Sequence, residues 1–482
     1  MSELPNGWAL ATLQELAGPN GLMDDGDWIE SKDQDPDGDV RLIQLADIGD
    51  GHFIDKSKRY LTSAKATALR CTHLQPGDLL IARMPDPLGR SCIFPDIGMP
   101  SVTAVDVCIW RAAPDTIDAR WLMHFVNSPE VRDAIQSQAS GTTRQRVSGG
   151  NLKRLPVPVP PAQEQRRIVA KLDSLRARSS RARQELDHIP KLIERYKQAI
   201  LAKAFSGELT ADWRAIHGGT LDNSYSPSGI DGRIASELPD LPDAWAWTSI
   251  DQVAVVTGGL TKNRKRTEIT SKAKYLRVAN VYANELRLDD VAEIGCTTGE
   301  LEKTRLADGD LLIVEGNGSL DQIGRVALWS GQIADCSHQN HIIRARPRPA
   351  TVPKYALYWL LSPVGRTAIE RVASSSSGLH TLSISKVSSL PIPMCGEREQ
   401  EDIVRRVDHG FAWLDKIATE HARAAHLLPK LDQAILAKAF RGELVPQDPN
   451  DEPASELLER IKAEREGADV TAVGRHGRRQ KN

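Results

Sequence analysis

The chain has 482 residues, 62 Lys+Arg against 64 Asp+Glu, a net charge of −2 and 40% hydrophobic residues. At about 150 residues per domain, that length allows roughly three units, each able to bury a core. No apolar run nears the ~18 residues of a membrane span, the N-terminus lacks a leader pattern, and six scattered cysteines form no C-x-x-C pair, which excludes a membrane protein or disulfide scaffold and makes a cytoplasmic location the expectation.

The first segment, 1–156, mixes short β-like runs at 40–45 and 78–82 with a helix near 119–138, an α+β pattern. The small polar loop 140–146 follows. Its Thr142 and Thr143 suit phosphate contacts, and Arg144 and Arg146 suit base edges, although a plain surface loop fits equally well. Arg83 and Arg90, near turns of the same segment, read either as base-contacting or as buried hydrogen-bonding arginines.

Residues 157–209 carry a stripe stepping by alternating fours and threes: Ile168, Leu172, Leu175, Ser179, Ala182, Leu186, Ile189, Ile193, Tyr196 and Ile200. That 3.5-residue period marks a coiled-coil seam. Arg176, Arg178, Arg181 and Arg183 put positive charge on its flank, either for phosphates or as a solvated face. Residues 210–240, rich in Gly, Ser, Asp and Pro, read as a linker.

The segment 241–391 repeats the α+β pattern, with β-like runs at 275–279 and 309–314, a helix near 353–372 and a polar loop ending in His380 and Thr381. Lys262, Arg264, Lys265 and Arg266 lie within six residues, reading as a footprint for a phosphate backbone or as a solvated loop. Asn317, Arg325 and the run Gln339-Asn340-His341 are candidate base readers, since Asn and Gln pair with adenine and Arg with guanine; buried hydrogen-bonding roles fit each as well. Residues 392–444 carry a second stripe, Ile403, Val407, Gly410, Leu414, Ile417, His421, Ala424, Leu428, Leu431 and Ile435. Pro190 and Pro429 predict a kink or a division of each helix. Residues 445–482 read as a helix and a polar tail, disordered from about Glu466 by composition.

The chain is an internal repeat. Residues 155–209 and 390–444 align without a gap, with 22 of 55 positions identical, concentrated at the two ends. Weaker echoes pair Leu4-Pro-Asn-Gly-Trp8 with Leu241-Pro-Asp-Ala-Trp245, Gly77-Asp-Leu-Leu-Ile81 with Gly309-Asp-Leu-Leu-Ile313, and Ser128-Pro129 with Ser362-Pro363. Two stripes of equal length, each too narrow to be a core, pack most simply on each other. A pseudo-twofold axis makes them antiparallel, with the modules at opposite ends; an ordinary dimerisation hairpin is the alternative. About 32 residues of seam span about 48 Å.

Catalytic signatures are missing. The only Pro-Pro, Pro160-Pro161, lacks the context of an adenine methyltransferase motif; no Gly-Lys dipeptide supplies a phosphate loop; and the twelve histidines show no metal-binding spacing.

The layout resembles the specificity subunits of type I restriction-modification systems. The resemblance is carried by the doubled Leu-Pro-x-Pro…Glu-Gln segments (155–165, 390–400), the doubled Ala-Ile-Leu-x-Lys-Ala-Phe-x-Gly-Glu-Leu segments (199–209, 434–444), residues 309–319 with Gly324-Arg325, and Gln339-Asn340-His341. Cys395-Gly-Glu397 departs from the family's usual Pro-Pro-hydrophobic and puts the start of the second helix in question. The resemblance implies two target-recognition domains, each reading half of a bipartite asymmetric site in double-stranded DNA, and helices that set the spacer. It implies two methyltransferase subunits, which use S-adenosylmethionine on adenine N6, and restriction subunits using ATP and Mg. This chain then holds no catalytic residue, metal or cofactor. A structural adaptor, or a self-contained methyltransferase or nuclease, are the other readings.

Overall fold

The computed structural model describes residues 4–85, 87–113, 116–141, 145–218, 225–376 and 379–478, with the side chains of Asn317, 374–379 and 467–478 excepted. It divides into two compact units, each discontinuous in sequence: Met1–Leu186 with Arg423–Asn482, and Asp187–Ala422. Among the described residues no helix is long and apolar enough to cross a membrane.

In the first unit an antiparallel sheet runs in the order Leu22–Asp25, Val107–Arg111, Leu79–Ala82, Ser91–Ile93. A smaller sheet sets Val40–Ile43 between antiparallel Tyr60–Leu61 and parallel Ser101–Thr103. Ala9–Thr12 pairs with Pro156–Val159 and joins the two ends of the module. The second unit has the same plan. Its sheet order is Ala254–Gly258, Ile342–Pro347, Leu311–Val314, Val326–Leu328. Lys272–Leu276 lies between antiparallel Ala292–Gly295 and parallel Ser337–His338, and Ala246–Ser249 pairs with Pro391–Met394. The duplication therefore runs through the modules, where sequence echoes are weak.

Those echoes are structural groups. Asp78 is buried and holds Arg111 through two bonds of 2.6 and 2.7 Å; Asp310 holds Arg346 with the same two distances. The glycine before each, Gly77 and Gly309, has φ of +97° and +88°, a conformation that costs glycine no Cβ strain. The following Leu-Leu-Ile strands are buried on both faces, Leu79 and Ile81 in the core that includes the helices, Leu80 and Ala82 in a second cluster.

A second duplicated group ties each module to the start of a long helix. The Trp8 indole N–H donates to Glu164 at 3.1 Å, and that of Trp245 to Glu399 at 3.0 Å, both buried. The neighbouring Gln165 accepts from the backbone N–H of Asp118 (3.1 Å) and donates to the Pro160 carbonyl (3.0 Å). Gln400 accepts from Val352 and donates to Cys395, both at 2.9 Å. Since Cys395 supplies the carbonyl that Pro160 supplies in the first copy, the departure at 395–397 leaves the helix start unaltered: Glu397 lies 235 residues after Ala162.

The helices predicted at 119–138 and 353–372 are each two helices, Ala119–Val126 with Pro129–Ser137 and Pro353–Leu361 with Pro363–Val372. The repeated Ser-Pro makes the break, because proline suits the first turn, where its missing N–H has no helical partner. Conversely, the long helices, Ala162–Phe205 and Glu397–Phe440, are 44 residues each and run unbroken through Pro190 and Pro429, contrary to the predicted division. One missing donor is outweighed by the turns on either side. Every stripe position is buried or half-buried except Tyr196 and Leu431, which are equivalent positions of the two copies.

Within each unit the two helices pack antiparallel. In the first, Ile168 and Leu172 share a core with Leu436 and Ala439, and Arg183 pairs with Asp432. In the second, Lys197 pairs with Asp415 at 2.7 Å, and Leu201 and Ala204 meet Ile403 and Val407. A Cβ on Gly410 would stand 2.9 Å from Ile200, so the glycine in the stripe makes room for the facing side chain.

The expected linker is partly structured: Ala211–His217 is helical, and its Arg214 reaches Glu399 at 2.5 Å. The tail predicted to be disordered continues the helix Ala454–Arg478, which Ala454, Leu457 and Ile461 anchor in the first unit's core.

Among the described residues each unit buries one histidine. Burial, with Arg176 and Arg120 nearby, pushes His124 down to about 3; burial and Arg344 push His338 down to about 4. A depressed histidine favours the fold above its ordinary value of about 6.5 and loses that contribution as pH falls toward the folded value. Urea unfolding is therefore expected to show stability declining from about pH 6.5 to about 4. Replacing both residues by glutamine is expected to flatten this window relative to the unsubstituted chain. An unchanged slope would contradict the assignment.

Candidate nucleic-acid interface

Four loops meet at one end of each central sheet, held by corresponding backbone bonds. In the second module Glu315 donates its N–H to His341 (2.9 Å) and receives that of Leu382 (2.7 Å). Gly316–Asn317 then pairs with Leu379–Thr381, setting Asn317 opposite His380. The N–H of Asn340 reaches the Leu260 carbonyl at 3.0 Å, which places the start of the basic loop at the same spot. In the first module Arg83 donates its N–H to Asp106 (2.9 Å) and receives that of Val147 (3.0 Å), while Ser140 bridges Arg146 and Asp27 donates to Thr103. Polar loops distant in sequence thus converge twice, on one frame.

Their side chains differ. In the basic loop Arg266 is engaged inward, with Glu300 at 3.0 Å and the Thr261 carbonyl at 2.7 Å. Lys262, Arg264 and Lys265 are exposed and have no acidic partner among the described residues. His341 pairs with Glu315 at 2.7 Å. The corresponding loop of the first module is acidic, with Asp27, Glu30, Asp33, Asp35, Asp37 and Asp39 against Lys32, and it exposes Trp28 to 70%.

Comparison with known proteins bears on what this frame is. Residues 24–190 match the family model for the type I restriction modification DNA specificity domain. The chain is 30% identical over 361 residues to the EcoKI specificity subunit of Escherichia coli K12, covering 72% of this chain and 71% of that protein. It is 29% identical to the StySPI specificity subunit of Salmonella potsdam, covering 72% of each. The chain belongs to the type I restriction-modification specificity subunits. Two solved structures share the fold: a chain from a study of type I R-M complex assembly (TM-score 0.66, 19% identity, 92% of this chain and all of that one) and the HsdS subunit of Thermoanaerobacter tengcongensis (0.59, 21%, 92% and 98%).

Within this specificity subunit the residues singled out from sequence fall into four groups. Arg83 and Arg90 are corrected from readers to structural residues. Arg83 is buried, pairs with Asp25 at 2.5 Å and donates to the Val147 and Val105 carbonyls. Arg90 is buried and donates to the carbonyls of Ile48, Leu45, Pro85 and Pro87. A guanidinium buried and turned onto main-chain carbonyls is not presented to a base. Arg266, engaged inward, joins them. Lys262, Arg264, Lys265, His380 and Thr381 stand at the convergence, with the backbone of Asn317; Arg146 is there too, held by the Val105 carbonyl at 2.9 Å and Asp106 at 3.5 Å. Thr142, Thr143 and Arg144 lie outside the described residues. On the helix flank Arg178 and Arg181 are exposed, whereas Arg183 is paired with Asp432. The sequence reading missed Trp28 and Tyr282; an aromatic set in an acidic run without apolar neighbours was the available signal for the first.

Phosphate contacts release counterions, so each adds about 0.9 to the slope of log affinity against log salt. Replacing Lys262, Arg264 and Lys265 by alanine is expected to weaken binding to duplex DNA and lower that slope by about one per cation in contact, measured by anisotropy across a KCl series. Arg266→Ala is expected instead to lower thermal stability. An unchanged slope in the triple variant would remove the loop from the interface.

Proposed function

We propose that this chain is the non-catalytic DNA reader of a type I restriction-modification complex. Each module reads one half of a bipartite, asymmetric site in double-stranded DNA. The paired helices fix the number of unread base pairs between the halves. The chain positions two methyltransferase subunits, which hold S-adenosylmethionine and methylate adenine N6, and restriction subunits, which use ATP and Mg. It binds no cofactor or metal itself.

The observation that carries this reading is the same frame built twice with different side chains on it. Strand order, strand pairing and the Trp–Glu and Asp–Arg groups coincide in the two units, while equivalent loops are basic in one and acidic in the other. A duplicated frame with diverged loops suits two different half-sites. The seam supports a ruler: its residues recur at one offset without a gap, and a 44-residue helix rises about 66 Å.

The test is reconstitution with the partner methyltransferase followed by sequencing of methylated adenines. The chain alone is expected to methylate nothing, and the complex to mark a two-part site. Inserting seven residues, one heptad, after Ser179 and after the matching Leu414 is expected to widen the gap by about three base pairs, from ~1.5 Å per residue against ~3.4 Å per base pair, leaving both halves unchanged. A correctly folded complex that marks no site, or an insertion that alters a half-site but not the gap, contradicts the proposal.

A further inference from the structure

Arg90 and Arg325 occupy one position of the repeated frame, and they do different things. Ala82 donates its N–H to the Arg90 carbonyl at 2.8 Å and Val314 to that of Arg325 at 2.9 Å; the preceding glycines, Gly89 and Gly324, donate back to Ala82 and Val314. The Arg90 guanidinium is consumed by four carbonyls, two of them from Leu45 and Ile48. In the second module the residue after Val281 is Tyr282, where the first has Gly49 after Ile48. With the ring present, Arg325 takes another course. Its guanidinium lies over Tyr282, 5.0 Å from the centroid, and Arg287 covers the same ring at 3.8 Å.

The Arg325 side chain forms no hydrogen bond or ion pair with any described residue, and its Nε is buried without a partner. Arg287, by contrast, is paired with Glu285 at 2.9 Å. A half-buried guanidinium resting on an aromatic face with its donors unspent is held for an acceptor that arrives from outside. A guanine edge offers O6 and N7 to such a planar fork, the commonest specific contact in the major groove.

We propose that Arg325 reads a guanine in the half-site of the second module, with Tyr282 as the residue that positions it. The first module has no counterpart, because Arg90 is locked. This rests on the reading of the chain as a bipartite DNA reader.

The experiment uses the complex with its methyltransferase. Methylated adenines are mapped for the unsubstituted chain, R325K, Y282F and Y282L. R325K keeps the charge but not the fork. It is expected to lose preference at one guanine of one half-site, leaving the other half as an internal control for folding. Y282F keeps the ring and is expected to preserve the motif, while Y282L is expected to relax it at the same position. For the unsubstituted complex, duplexes carrying 7-deazaguanine at each guanine in turn are expected to lose about 10- to 100-fold in affinity at that one position. This arm holds even if the variants misfold. A folded R325K with both halves unchanged, as a phosphate contact predicts, overturns the assignment. So does a half-site without guanine, or equal binding of all 7-deazaguanine duplexes. If the unsubstituted complex marks no two-part site, the bipartite reading itself fails instead.

Discussion

The constraint on which the structure depends is a carboxylate taken out of water and met by a tryptophan indole N–H, once in each unit. Glu164 and Glu399 are both almost fully buried, and each accepts a tryptophan N–H from the first strand segment of its module. Burial raises the Glu164 carboxyl above its ordinary range, and the indole bond opposes that shift. A buried acid without its donor is costly, so the bond fixes where the module begins relative to the long helix. The adjoining glutamines extend the hold to the segments that start the module helices, at Asp118 and Val352. Helix start, module ends and module helix are thereby joined at one point, twice.

With that junction fixed, the residues the two units share and those in which they differ lie in different places. The groups common to both units, such as Asp78 with Arg111 and Asp310 with Arg346, lie in the sheets and in the residues next to the helices. What differs lies at the converging loops: an acidic segment with exposed Trp28 in one module, three exposed cations in the other. Loops carried on a rigid sheet can change side chains at little cost to the core. The copies also differ where a module helix meets its long helix. His124 stands where the second copy has Tyr358, and Arg176 where it has Phe411; the Tyr358 and Phe411 rings meet edge to face with centroids 5.5 Å apart, while His124 and Arg176 stay polar beside Asp173.

Much of the frame was legible before the structure. The gap-free repeat, the heptad stripe and the α+β modules follow from spacing, since a 3.5-residue period has one economical solution. The Ser-Pro breaks were visible as a repeat but were not read as helix boundaries. Pro190 and Pro429 misled in the opposite direction, because propensity is local and seam packing is not. The site was less legible. A guanidinium lying over a ring and one spent on carbonyls look alike in sequence: Arg90 and Arg325 both follow a glycine, and the residue after Ile48 or Val281 is glycine in one copy and tyrosine in the other. Convergence of loops from 260, 316, 340 and 380 is a property of strand order, which composition does not contain.

The central claim, that each unit is a self-contained reader built on a shared frame, is tested most directly by exchange. Residues 241–391 are replaced by the corresponding module of another family member, cut at the Ala246–Ser249 and Pro391–Met394 pairing. Methylated adenines are then sequenced after assembly with the methyltransferase. The account predicts that one half-site is replaced, with the other half and the intervening gap intact. A change in both halves, or in the gap, would contradict it.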